Sequence, residues 1–192
     1  MSKKDEHNYI IQDLQATLDR INDWIKNCDS KASILIAAIT LFFTIFSNDT
    51  VIDMSKRILF FVITSLNIIK IIYMIIFILL VALIVFGVTC LILTLNPITS
   101  KKTNKDNVEN KSSVYFFGAI SGMKFREYSK NYSHVIRNPK KQIRNIQEQI
   151  YINSSIATKK YSLFKKGLYA TFFGSVGVIL LFIIGVVLVV SN

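Results

Sequence analysis

The sequence predicts an all-α integral membrane protein: three transmembrane helices with a cytoplasmic amphipathic helical stalk. Three observations lead there. Apolar residues make up 52% of the 192, with only seven Gly and two Pro to form turns. That is too apolar for an ordinary soluble domain and too poor in turn-formers for a sandwich or barrel. Three long uncharged apolar runs stand out, and an amphipathic stripe leads into the first and the last of them. The two Cys and two His are scattered, which excludes a disulfide scaffold and leaves no zinc-ligand spacing.

The runs set the spans. Residues 71–95 hold 25 residues without a charge and residues 167–190 hold 24. At about 1.5 Å per residue both cross a hydrocarbon core of roughly 30 Å. Residues 32–47 hold 16, about 24 Å of helix, and need help from their flanks. Residues 48–70 are an external connector whose apolar half ends at Lys70. A lysine in mid-membrane costs about 3 kcal/mol, so Lys70 is expected at an interface. Residues 58–69 then lie along the surface or extend the second helix, with a re-entrant or fourth crossing as the alternative. The 31 residues before the first run mix acids and bases and carry a helical pattern, unlike a cleavable signal, so that run is read as retained.

Charge orients the spans. The net charge is +11, and residues 96–166 alone hold fifteen Lys/Arg against Asp106, Glu109, Glu127 and Glu148. A basic loop between the second and third spans is expected on the cytoplasmic side. The amino terminus is then cytoplasmic and the protein is a multi-pass plasma (inner) membrane protein. The same mapping argues against a nucleic-acid partner, since the basic excess is a topology signal.

Residues 1–31 form the first amphipathic helix: Ile11, Leu14, Leu18, Ile21, Ile25 and Cys28 step by three and four, with Asp13, Asp19 and Asp23 opposite. The stripe continues into Ala32 and Leu35, predicting one helix with the first span. A second helix starts near Pro139, with a stripe of Ile143, Ile146, Ile150, Asn153, Ala157 and Tyr161. The two stripes pack against each other or between subunits. Asn153 either sets register on that seam or faces solvent. Residues 98–114 read as a flexible polar linker.

Beyond the linker, Tyr115, Phe116, Phe117, Phe125, Tyr128 and Tyr132 interleave with Lys124, Arg126 and Lys130. Such a mixture suits stacking on a base with charge pairing to a phosphate. It equally suits a membrane surface, with aromatics at the headgroups and bases on anionic lipid, and that is the simpler reading. Asp29 and Lys31 flank Ser30 at the mouth of the first span, either as an interfacial anchor or as a gating pair with Lys159, Lys160 or the last-span bases. Ala170 and Gly174 make a small-xxx-small step that serves packing within the chain or between copies. No paired acids, phosphate loop or nucleophile with a base is visible, so neither enzymatic activity nor a cofactor is expected.

Three patches carry a resemblance: DWIKNCDSKASILIAA at 23–38, YFFGAISGM at 115–123 and EQIYINSSIATKKYSLFKKGL at 148–168. In their order and their relation to the spans, they make the chain resemble the Pycsar-type transmembrane effectors of antiphage defence. The resemblance implies a homo-oligomeric membrane effector, quiet until a partner cyclase or synthase makes a cyclic nucleotide messenger. The cytoplasmic part would bind the messenger, and membrane integrity would then be lost in an abortive infection. Tyr115, Phe116, Lys124, Arg126, Lys130, Lys159 and Lys160 are the candidate messenger-binding residues, and Asp29, Lys31, Asn153 and Gly174 the candidates for gating or the interface. No separate nucleotide-binding β-roll fits in the 71 residues of the basic segment. The competing reading is a small membrane scaffold or accessory subunit with no gating of its own.

Overall fold

A computed structural model describes residues 3–64, 67–97 and 113–191. Among them the elements are helices, without a strand: α1 Lys3–Phe46, α2 Asp49–Thr64, α3 Ile68–Leu95, α4 Phe117–Ile120, α5 Phe125–Ile136 and α6 Pro139–Val190. The chain divides into two compact units, Met1–Asn27 with Pro97–Lys160, and Cys28–Asn96 with Tyr161–Asn192. Helices α1 and α6 supply residues to both.

The second unit contains the apolar runs. The three described helices that are long and apolar enough to cross a membrane are α1 over Asp5–Phe46, α3, and α6. Their large apolar side chains are turned outward, with Ile34, Leu41 and Ile45 each about two-thirds exposed. In water that arrangement would be untenable; in hydrocarbon it is the expected one. Hydroxyls in the apolar part of α1 are satisfied locally: Thr40 Oγ1 donates to the Ile36 carbonyl at 2.9 Å and Thr44 Oγ1 to the Thr40 carbonyl at 3.0 Å. A hydroxyl bonded back to i−4 can sit in lipid without an orphaned donor.

Helices α3 and α6 run antiparallel along a seam of small residues. Gly87 faces Ala170 and Thr171, Ile84 faces Gly174, Leu80 faces Gly177, and Tyr73 donates a hydrogen bond to the Leu181 carbonyl at 3.0 Å. A Cβ added at Gly87 would lie 2.6 Å from Thr171 Cγ2 and 2.7 Å from the Thr171 backbone nitrogen. Only glycine permits that approach. The step from Ala170 to Gly174, ambiguous as sequence, packs here within one chain against α3.

In the connector, Asp49–Thr64 form α2 and α3 starts at Ile68, so residues 68–70 extend the second span, one of the arrangements expected. Asn48 Oδ1 accepts from the Thr50 amide at 3.0 Å, a cap that begins α2 right after α1 ends. Helix α3 thus starts three residues before Ile71 and takes Lys70 into its first turn. Lys70 Nζ reaches back nine residues to donate to the Phe61 carbonyl at 2.8 Å, and stands 3.5 Å over the Phe61 ring. A carbonyl in α2 and a π-face thus solvate the charge, which is why the helix can start ahead of it.

In the first unit, α1 buries Ile21, as its stripe predicts. On α6 the buried face is Ile146, Gln149, Ile152, Ile156, Ala157 and Lys160. This is rotated from the predicted stripe: Ile143, Ile150 and Asn153 are half-buried and Tyr161 is exposed. Most of the predicted linker, residues 98–112, lies outside the described residues. Its end does not behave as a linker, since Ser113 and Val114 are both buried.

Candidate functional site

The polar features of the first unit concentrate where residues 113–116 lie along the start of α6. Gln142, Asn145 and Gln149 are spaced three and four apart, and therefore share one helix face. Gln149, itself buried, donates through Nε2 to Ser113 Oγ at 3.0 Å. The same hydroxyl accepts from the Tyr115 amide at 3.3 Å. About two turns toward the amino end of α6, Gln142 hydrogen-bonds the Tyr115 side chain. Between these anchors, Asn145 Oδ1 is shut off from solvent and has no hydrogen-bond partner among the described residues. A buried acceptor without a donor costs about 1–3 kcal/mol.

Aromatic rings adjoin this row of amides. Tyr115 is half-buried and lies near Tyr128 and Tyr132 of α5, whose ring centroids are 5.9 Å apart. Burial pushes the Tyr115 phenol above its ordinary value of 10, so it is a neutral donor at physiological pH. The Phe116 ring lies against Gly118, where a Cβ would come within 2.6 Å of Phe116 Cε1, and its centroid is 4.9 Å from that of Phe117. Phe117 and Phe125 are among the most exposed large apolar side chains in the unit. At the junction of α5 and α6, Lys141 Nζ contacts His134 Nε2.

The predicted messenger-binding residues do not form one cluster. Tyr115 is in the site and Phe116 adjoins it. Lys124, Arg126 and Lys130 are exposed, and Arg126 and Lys130, two residues out of phase with Tyr128 and Tyr132, lie about 200° around α5 from them. Lys159 and Lys160 lie 17 and 18 residues beyond Gln142, some 25 Å along α6. Lys159 is exposed, whereas Lys160 is buried. Sequence reasoning missed Ser113, Gln142, Asn145 and Gln149. The available signal was amides spaced three and four apart on a helix with an otherwise apolar stripe.

Of the gating candidates, Asn153 neither faces solvent nor stands alone. Its Nδ2 donates to Asn22 Oδ1 at 2.8 Å, tying α6 to α1 within the first unit. Asn153→Ala leaves that half-buried acceptor unmet and is expected to cost about 1–2 kcal/mol. In a thermal melt this reads as a loss of roughly 2–8 °C. Gly174 belongs to the α3–α6 seam, Asp29 is half-buried and Lys31 is exposed. Among the described residues no group of three His, Cys, Asp or Glu could hold a metal ion.

The chain is 29% identical over 161 residues to the Pycsar effector protein GmPycTM of Gulbenkiania mobilis, covering 79% of this chain and 80% of that one. No solved structure matches. The family model PycTM, described as the Pycsar effector protein domain, matches residues 13–190. That match takes in the three apolar helices, the segment beside α6 and the amide row together, and the chain belongs to the Pycsar effector protein domain family.

Proposed function

We propose that the protein is a messenger-gated membrane effector of antiphage defence. A cyclic nucleotide made by a partner cyclase binds the first unit, and the apolar helices then compromise the host membrane, ending infection abortively. Membership of the Pycsar effector family over residues 13–190 is the observation that carries this reading, and it supports an antiphage defence role. The protein works without catalysis, as a homo-oligomer in the inner membrane with its amino terminus cytoplasmic.

The site suits such a ligand. Once the segment at 113–116 opens to admit it, a nucleobase edge supplies the donor that Asn145 Oδ1 lacks, and its face stacks beside Tyr115. The exposed Lys124, Arg126 and Lys130 raise the local concentration of an anion. Binding shifts a quiet-to-open equilibrium only by the difference in affinity for the two states; moving from 1:99 to 99:1 takes about 5.5 kcal/mol. Small contributions repeated over an oligomer reach that total.

The test is co-expression with an active cyclase, reading membrane potential with a dye and phage yield after challenge. Wild type is expected to depolarise the cell only when the cyclase is active. Tyr115→Ala and Asn145→Ala should abolish the response while inserting normally, and Arg126→Ala should weaken it. If an active cyclase leaves potential and phage yield unchanged, the effector reading fails and the scaffold reading replaces it.

A further inference from the structure

The second unit contains a cleft that the seam does not explain. It has a volume of about 430 Å³ and is walled by all four helices of the unit, through Phe46 of α1, Leu59 of α2, Val81 of α3 and Phe182 of α6. Its lining is almost wholly apolar. Of the polar side chains on it, Tyr73 is committed to the Leu181 carbonyl, which leaves Ser55 and Lys56, adjacent on α2. Leu59 and Val85 on its wall are 44% and 60% exposed, so the cleft is reached from where hydrocarbon surrounds the helices.

Its dimensions select the occupant. The α3 lining runs from Tyr73 to Val85, a rise of about 18 Å along the helix, slightly more than one leaflet of a roughly 30 Å core. Spread over that length, about 430 Å³ makes an elongated groove, too slender to take in a whole helix some 10 Å across. A helix from a second copy would have to lie over it and reach in with side chains alone. Water does not fill an apolar cleft of this kind, and an empty one forfeits dispersion contacts along its whole wall. A single flexible hydrocarbon chain meets all three conditions.

The polar end indicates the headgroup. Lys56 Nζ lies 3.1 Å from Asp53 Oδ1, and both side chains are exposed. An ammonium has three donors, so protons beyond the one directed at Asp53 can reach a phosphate oxygen. Arg57, also exposed, adds a second cation beside it. We propose that this cleft is a binding site for one acyl chain of an anionic phospholipid whose phosphate is held at Lys56. The proposal does not depend on the messenger reading.

The experiment reconstitutes the full chain in nanodiscs of phosphatidylcholine containing spin-labelled phosphatidylglycerol, and measures the motionally restricted lipid by electron paramagnetic resonance. Wild type is expected to hold about one slowly exchanging lipid per chain beyond the ordinary boundary layer. Val81→Trp fills the cleft from a position off the α6 seam and should remove that lipid while leaving helicity unchanged. Val178→Phe, from the opposite wall, serves if the first variant misfolds. Lys56→Gln should keep the restricted lipid but reduce its preference for phosphatidylglycerol over phosphatidylcholine about fivefold. A wild type without a stoichiometric restricted lipid overturns the proposal, as does a restricted population that both cleft-filling variants leave untouched. Efficient cross-linking between copies through a cysteine at Leu59 would assign the cleft to a protein partner and overturn it too. An unchanged headgroup preference in Lys56→Gln would remove the phosphate assignment.

Discussion

Gly87→Leu is expected to separate α3 from α6. The first added carbon already lies 2.7 Å from the Thr171 backbone nitrogen, and a backbone atom cannot swing aside as a side-chain tip can. Overpacking in a core that can adjust costs about 1–3 kcal/mol. Here the helices themselves must part, so the expected loss is at or above the top of that range. In a chain of this size it lowers the melting temperature in detergent by roughly 6–12 °C. Gly87→Ala, with the first carbon alone, should fall between that variant and wild type. The seam can be read directly: cysteines at Leu80 and Gly177, in a background lacking Cys28 and Cys90, should cross-link in wild type and fail to do so in Gly87→Leu. Undiminished cross-linking would show that the seam tolerates bulk and that its glycines are incidental.

The second large effect belongs to the other unit. Ile146 is 1% exposed, the most deeply buried of the isoleucines on α6. Ile146→Asp puts a carboxylate into a fully buried apolar position, and an uncompensated buried charge costs about 3–5 kcal/mol or more. Limited proteolysis in native membranes should then cut the first unit rapidly while the apolar helices stay protected. Ile146→Val, which removes one methylene, should cost only about 0.5–1.5 kcal/mol and leave the cleavage pattern unchanged. Ile21→Asp, on the α1 side, should act in the same direction. If both aspartate variants keep wild-type resistance, α1 and α6 do not stabilise each other in this unit.

How much of this was legible in the sequence depended on whether the deciding partner was local. Pro139 marks the start of α6 because a proline at the first helical position needs nothing from elsewhere in the chain. The α1 stripe was readable because its period is intrinsic to the helix. The exact face buried on α6 was not, since Gln149 and Lys160 are buried against expectation, Gln149 by a bond to Ser113, 36 residues away. Lys70 misplaced a helix start for the same reason: the Phe61 carbonyl that accommodates it lies in another helix. The spacing of Ala170 and Gly174 showed that something approaches closely, but only the structure says that it is α3. The candidate site was legible in one residue, Tyr115, because rings and bases advertise themselves by composition. The amides beside it look, as sequence, like any polar helix surface.

The close contact of α3 with α6 also limits how the membrane region can move. A helix that turned by one residue, about 100°, would swing its glycines off the seam and bring branched side chains in their place. Neither partner can roll about its own axis without first being levered off the other. The two therefore travel as a single plank, and Tyr73, bonded to the Leu181 carbonyl, pins one end of it. Any opening of the second unit has to part α1 or α2 from that plank. Their contacts with it include, beside the Lys70 bond to the Phe61 carbonyl, rings and aliphatic side chains such as Phe46 against Phe182, which can slide and re-form where interlocked backbones cannot.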